Sequence, residues 1–161
     1  MVIAEQVANA PVDERAGPER WRLRTGGATE SSPALDGQRM IYLAVNQLQI
    51  GVSKNGKKIW EHPAGDFIDA SPAVAENRVI YFPAPQRDLI ATDPDGNEVW
   101  RITLDWITKS SPLVGTDGTV YVSEGQSLSA LTSTNQQPLA KSPWPMWRAN
   151  PQHTGRVQIV K

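Results

Sequence analysis

Residues that could do chemistry are sparse in this sequence, and the most regular of them are serines. Ser-Pro dipeptides begin at Ser32, Ser71 and Ser111, which are 39 and 40 residues apart. A serine nucleophile of the Ser-His-Asp triad needs a histidine as its base, but the only two histidines, His62 and His153, do not repeat in phase with the serines. We therefore interpret the dipeptides as turns and strand starts and predict no catalytic residue.

Metal binding has equally weak support. The chain contains no cysteine, which excludes disulfides, thiolate zinc sites and iron–sulfur clusters. Two histidines cannot make a three-histidine site. The stretch 93–97 weakly resembles a calcium loop, but the twelfth position from Asp93 is Leu104, where such a loop has a glutamate. We predict no metal site and no cofactor.

Composition narrows the possible partners. The chain has 161 residues, of which 39% are hydrophobic, enough for the core of one ordinary domain. Lys and Arg number 16 and Asp and Glu number 17, so the net charge is −1. No basic field exists to attract nucleic acid or anionic lipid, and we expect neither as a partner. No signal peptide pattern is visible, so we expect a soluble protein, cytoplasmic as the sequence stands.

The elements that must position these residues repeat with a period of about 40 residues. Each unit has a Ser-Pro motif, a β-branched and aromatic run such as Met40–Val45, a third apolar run, and a closing strand that ends near a tryptophan. A glycine precedes each closing tryptophan by four residues. No segment shows sustained helical periodicity, and the pattern predicts an all-β protein built from four-stranded repeats. The closing tryptophans are Trp21, Trp60 and Trp100.

Two stretches carry a resemblance to a known family. The segment 91–100, with its Asp-Pro-Asp-Gly-Asn turn and closing Trp100, resembles the repeat of pyrroloquinoline-quinone-like (quinoprotein-type) β-propellers. The segment 142–156 is similar to the terminal signature of bacterial members. Unit one follows the pattern more loosely, and unit three loses it after Leu131, because residues 132–138 are polar and contain no glycine. The resemblance implies four-stranded propeller blades, three to four per chain.

We expect residues 1–161 to form a single partial propeller domain, with repeat units at about 22–60, 61–100 and 101–143. The terminal segments 1–21 and 144–161 are expected to form a split fourth blade. Exposed sheet edges favour pairing with another chain, and two chains of four units would close a ring of eight blades. We favour this homodimer. A closed four-bladed monomer is the alternative, with prolines near the termini blunting its edges.

The resemblance also assigns roles to repeated positions. The fixed phase of Trp21, Trp60 and Trp100 favours structural docking between blades over ligand stacking. In the family the Ser-Pro motif lies near the innermost strand, so the residues two positions before each of these serines would line or rim the central channel. Trp106, together with Phe67 and Ile107, would supply an apolar wall. Solvated loop residues are the alternative. The charged rim candidates are Glu30, Asp69 and Lys109.

Three functions follow, in order of preference. The first is a non-catalytic binding or scaffold module for a protein or small molecule, acting as a homodimer. The second is a quinoprotein-type oxidoreductase that binds pyrroloquinoline quinone, but the adjacent cysteines of many members are absent. The third is a scaffold similar to the propeller lipoproteins of outer-membrane barrel assembly, for which the sequence offers no lipidated cysteine. Fold resemblance alone does not carry function between members.

Overall fold

Short apolar runs punctuated by turns produce eleven strands and no helix in the part of the chain that the structure describes. The computed structural model describes residues 18–133, 137–147 and 149. The predicted all-β fold is confirmed. The strands are β1 Ala34–Leu35, β2 Ile41–Val45, β3 Leu48–Val52, β4 Lys58–Pro63, β5 Ala73–Val74, β6 Ile80–Ala84, β7 Asp88–Thr92, β8 Glu98–Thr103, β9 Leu113–Val114, β10 Val120–Glu124 and β11 Ser127–Leu131.

The strands form three antiparallel sheets in sequence order, and each sheet is one blade. Strands β1–β4 make the first blade and β5–β8 the second, each with four strands, whereas β9–β11 make a three-stranded third blade. The short strands β1 and β9 both contact β5, so they are the innermost strands of neighbouring blades. The described residues contain no helix of the length and apolarity that a membrane crossing requires.

The hydrophobic core lies between the blades. Tyr42 and Ala44 of the first blade pack with Ile80, Phe82 and Ile90 of the second in one buried cluster. An equivalent cluster joins the second blade to the third. All five residues of β6 are buried, because the second blade is covered on both faces. This explains why β6 is continuously apolar and does not alternate with polar residues.

The tryptophan of one blade contacts a turn of the next. Trp60 lies opposite Gly51 within its own sheet, and its indole Nε1 donates to the carbonyl of Pro94 in the second blade at 2.8 Å. A Cβ atom at Gly96 would lie 2.6 Å from this indole. Gly96 has a φ of +87°, so both the close approach and the backbone conformation require glycine there.

The Ser-Pro serines connect blades as well as starting strands. The backbone N–H of Ser32 donates to the Ser71 hydroxyl at 2.8 Å, and the N–H of Ser71 donates to the Ser111 hydroxyl at 2.9 Å. The hydroxyls of Ser71 and Ser111 therefore each accept a hydrogen bond from the preceding blade. Because these bonds join equivalent positions of neighbouring blades, they give a physical reason for the 39- and 40-residue period.

The C-terminal segment crosses the innermost strands. The carbonyl of Trp144 accepts the N–H of Leu35 in the first blade at 2.6 Å, and the carbonyl of Pro145 accepts the N–H of Val74 in the second at 2.9 Å. Met146 is buried in the core between the second and third blades. The proposed split fourth blade stays a prediction, because residues 1–17 and 150–161 lie outside the described residues.

Replacing Trp60 by alanine should lower the free energy of unfolding by about 3–5 kcal/mol, because the change removes a large side chain that packs between two blades. Urea unfolding measures this loss. The control Trp60→Phe keeps a ring against Gly96 but loses the bond to Pro94, and should cost about 1 kcal/mol. Unfolding of Trp60→Ala within about 0.5 kcal/mol of the parent would show that the indole does not hold the blades together.

Candidate functional site

Three of the predicted rim residues, Asp69, Trp106 and Lys109, lie on the loops that link one blade to the next, whereas Glu30 precedes β1. These linking loops, residues 64–72 and 104–112, run from the last strand of one blade to the first strand of the following blade. Each is tied to a hairpin turn: the N–H of Ile68 donates to the carbonyl of Asn46, and the N–H of Leu104 donates to the carbonyl of Arg87. The linking loops and these hairpins together form one surface, which we call the rim face.

The structure joins two of the three predicted charged residues. The Lys109 ammonium lies 3.1 Å from the Asp69 carboxylate, and both side chains are exposed, by 77% and 39%. The pair therefore connects the two linking loops across a blade boundary. Glu30 is also exposed, but no ion pair among the described residues joins it to the other two.

Large apolar side chains stand beside this ion pair. Phe67 and Ile107 are 58% and 57% exposed, and with Asp69 and Lys109 they line a small depression of about 40 Å³. Trp106 is 64% exposed but does not line that depression. It lies against Gly125 in the β10–β11 hairpin and extends the apolar surface toward the third blade.

Glu124, which the sequence did not single out, holds the Trp106 loop in place. Its Oε2 accepts the backbone N–H groups of Asp105 at 2.6 Å and Trp106 at 3.3 Å, while the Ser129 hydroxyl donates to Oε1. These bonds, the Ser129 bond first, lower the pKa of the Glu124 carboxyl against the opposing effect of burial. The signal available in the sequence was a glutamate closing an apolar strand before a Gly-Gln turn.

A second charged group that sequence reasoning missed is Asp36, which is fully buried. Its Oδ2 accepts the Arg78 Nε–H at 2.7 Å and the Tyr42 hydroxyl at 3.0 Å. Burial, with the nearby Asp36 charge, raises the pKa of Tyr42 well above its ordinary value. Because Asp36 and Arg78 belong to the first and second units, this network links the two blades around a buried carboxylate.

A larger cavity of about 300 Å³ lies between the second and third blades. It opens beside the Trp100 indole, with Tyr81 behind it and Leu131, Thr132 and Ser133 on the third blade. In the two earlier boundaries a glycine turn lies under the tryptophan. The cavity is lined by Thr132 and Ser133, which begin the segment where unit three departs from the repeat.

The described residues do not offer the donor set that a quinone with a divalent metal requires. No group of three or more His, Asp or Glu side chains in the described ranges is close enough to hold a metal ion. The chain contributes no cysteine, and Glu30 is not joined to Asp69. We derive no chemistry through a quinone from this arrangement.

The blades, the repeated tryptophan–turn contacts and the Ser-Pro ladder define a PQQ-repeat β-propeller. The family described as outer membrane protein assembly factor BamB matches residues 51–139. That span is more than half of the chain. The chain therefore belongs to this family. The family match therefore falls on the group that the sequence interpretation ranked third. No curated protein matches the sequence.

Solved structures give the same fold. BamB from Moraxella catarrhalis is similar with a TM-score of 0.60 and 14% identity, over 73% of this chain and 37% of that one. Quinohemoprotein alcohol dehydrogenase from Comamonas testosteroni is similar with a TM-score of 0.56 and 19% identity, over 70% of this chain and 20% of that one. The chain thus spans just over a third and one fifth of their lengths, and at these identities the likeness concerns the fold alone.

The amide signals of Asp105 and Trp106 should titrate with a midpoint below the ordinary glutamate pKa of about 4.3. The carboxylate of Glu124 has a lowered pKa in the folded state, so its bonds to the loop are complete above the ordinary value and are lost as pH falls through the lowered one. Two-dimensional NMR across the acid range measures the midpoint. Glu124→Gln should abolish this titration, and a midpoint at or above the ordinary value would contradict the role of Glu124.

Proposed function

We propose that the chain is a non-catalytic binding module whose rim face docks a segment of another protein. The observation that carries this proposal is the exposure of Phe67, Trp106 and Ile107 on neighbouring linking loops. Single exposed apolar residues are ordinary, whereas a cluster of large ones bordered by charges is typical of an interaction site. The expected occupant is a protein segment that places an apolar side chain on this cluster and a charged group near the Asp69–Lys109 pair.

The way the loops are held supports this function. A binding surface gains affinity when its side chains are already positioned, because less conformational entropy is lost on association. Glu124 fixes the Trp106 loop through two backbone bonds, and Asn46 fixes the neighbouring loop by accepting the Ile68 N–H. Trp106 is also of the residue type that most often dominates interface energetics.

We further propose that the module acts as a homodimer that completes a propeller. The support is the difference between the blades: the first and second have four strands each, and the third has three within the described residues. A sheet with an uncovered edge favours pairing with another chain. The rim face remains accessible in this arrangement, because it is formed by loops and not by strand edges.

Trp106→Ser and Ile107→Ser should each weaken binding of a peptide selected on this protein from a random display library, with Trp106→Ser about thirtyfold weaker by calorimetry. The reason is the loss of a buried aromatic anchor, which costs about 2 kcal/mol. Val99→Ser is the matched control, because Val99 is 54% exposed but lies on an outer strand. Two results would contradict the rim face as the binding site. In the first, Val99→Ser weakens peptide binding as much as the rim variants do. In the second, neither Trp106→Ser nor Ile107→Ser weakens it.

The alternative function, a quinoprotein-type oxidoreductase, makes the opposite prediction about cofactor binding. Mixing the chain with pyrroloquinoline quinone and Ca²⁺ should give no stoichiometric heat of binding and no alcohol or sugar oxidation, because the described residues do not assemble the required donors. The quinone with Ca²⁺ in buffer is the blank for calorimetry. Binding at one quinone per chain would favour the oxidoreductase.

A further inference from the structure

The cavity beside Trp100 lies where two side chains of the blade repeat are missing. A turn joins the first two strands of each blade, and the same backbone bond closes it in all three, so its first residues are equivalent: Asp36, Ala75 and Gly115. The fourth residues of these turns all have a positive φ and are Arg39, Arg78 and Gly118. The second turn therefore has alanine in place of Asp36, and the third has glycine in place of Arg78.

At the boundary between the first and second blades, which we call the filled boundary, both side chains are present. The buried Asp36 carboxylate accepts the Tyr42 hydroxyl at 3.0 Å. The same Oδ2 atom accepts the Nε–H of Arg78 from the second blade at 2.7 Å. A carboxylate and a guanidinium thus occupy the space between Tyr42 and the next blade.

At the boundary between the second and third blades, which we call the open boundary, neither group is present. Tyr81 has the strand position of Tyr42, because it pairs with Ala73 as Tyr42 pairs with Ala34. Ala75 replaces the carboxylate and Gly118 replaces the arginine. Tyr81 and Gly118 instead line the cavity of about 300 Å³. The cavity is therefore the physical result of these two replacements in the repeat.

The outer part of the cavity differs from the filled boundary in the same way. Trp60 donates its indole N–H to the Pro94 carbonyl of the next blade at 2.8 Å. The register of the third blade gives Ser133 the place of Pro94, and Ser133 lines the cavity. Among the described residues no carbonyl accepts the Nε1–H of Trp100. The open boundary therefore lacks an acceptor for this donor.

Two donors that are satisfied at the filled boundary consequently face the cavity. Tyr81 is only 2% exposed, and no described side chain stands where Asp36 accepts the Tyr42 hydroxyl. Burial alone raises the pKa of Tyr81 above its ordinary value, so its hydroxyl stays protonated and can donate. The Tyr81 and Trp100 rings lie side by side, with centroids 5.6 Å apart. One bound molecule can therefore reach both donors.

The walls of the cavity select an uncharged molecule. Arg101 is a charged residue of the lining, but its guanidinium already bonds Glu98 at 2.7 Å and Asp88 at 2.8 Å. Its charge is therefore compensated, and an anion would gain little there. The aliphatic side chains that complete the walls are Ile102, Val120 and Leu131. Such walls favour an apolar ring system with few polar atoms.

We propose that the open boundary is a binding site for an uncharged, planar, two-ring compound whose carbonyl group accepts the Tyr81 hydroxyl. One face of the ring system lies on the Trp100 indole, whose N–H is a second donor to the same compound. The size agrees, because an apolar cavity of about 150 Å³ holds benzene and this cavity has about twice that volume. The site shares no residue with the rim face, so it does not depend on the proposed function.

Calorimetry with carbostyril, a neutral two-ring lactam, tests the site. The parent chain should bind it saturably at one molecule per chain. Tyr81→Phe should weaken this binding about tenfold, because the carbonyl loses its buried donor. The same variant should leave the affinity for naphthalene, measured by NMR, unchanged, since naphthalene has the same shape and no acceptor. Tyr121→Phe is the matched control, because Tyr121 has the equivalent position in the third blade and should bind carbostyril as the parent does.

Restoring the residues of the filled boundary tests the origin of the cavity. The double variant Ala75→Asp with Gly118→Arg should rebuild the Asp36–Arg78 pair, fill the cavity and weaken carbostyril binding about tenfold or more. An arginine is compatible with this backbone, because Arg78 has a φ of +66° at the equivalent position. The melting temperature of the double variant should equal or exceed that of Ala75→Asp alone, in which a buried carboxylate lacks its partner.

The outcomes decide the proposal in either direction. No saturable binding of carbostyril by the parent would overturn the site. Binding that neither Tyr81→Phe nor the folded double variant weakens would place carbostyril elsewhere and would overturn it equally. If the double variant fails to fold, Tyr81→Phe decides alone. Peptide binding at the rim face should be unchanged in Tyr81→Phe, so failure of this proposal leaves the proposed function standing, and the reverse also holds.

Discussion

The packing of one blade face against the next is the interaction on which the rest of this structure depends. A four-stranded sheet that is apolar on both faces cannot be stable alone in water, since each face must be removed from solvent. In the second blade every residue of β6 is buried, because the first blade covers one face and the third covers the other. The Trp60 indole and the Ser71 hydroxyl add directional bonds to this non-directional burial, and those bonds set the spacing between blades.

This dependence confines functional variation to the loops. A buried residue on a blade face has a neighbour on the adjacent blade, so a change in its size or polarity alters the stack. The linking loops lack that restriction, and they carry Phe67, Trp106 and Ile107, three of the most exposed large apolar residues in the described chain. Glu124 shows how the two regions cooperate, because a strand residue inside the third blade orders the backbone of the Trp106 loop.

The C-terminal segment lies across the innermost strands of the first two blades. Trp144 and Pro145 accept backbone N–H groups from the innermost strands of the first and second blades, and Met146 packs in the core beside them. The chain itself therefore covers part of the channel side of these blades. Asp69 and Lys109, which were predicted to line or rim a channel, lie exposed on the rim face, where they connect neighbouring loops.

The sequence by itself determined the all-β fold and the repeat period. Strand order within a blade depends on local pleating and on turns such as Asp95-Gly96, and these features leave a 40-residue period that can be counted. Only the tertiary structure decided which distant residues meet. The Asp36–Arg78 bond joins residues 42 apart, and the Ser142 hydroxyl bonds to Leu35 over a separation of 107. Such pairs are set by how blades stack and where the terminal segment returns, and no local pattern of residue types encodes that geometry.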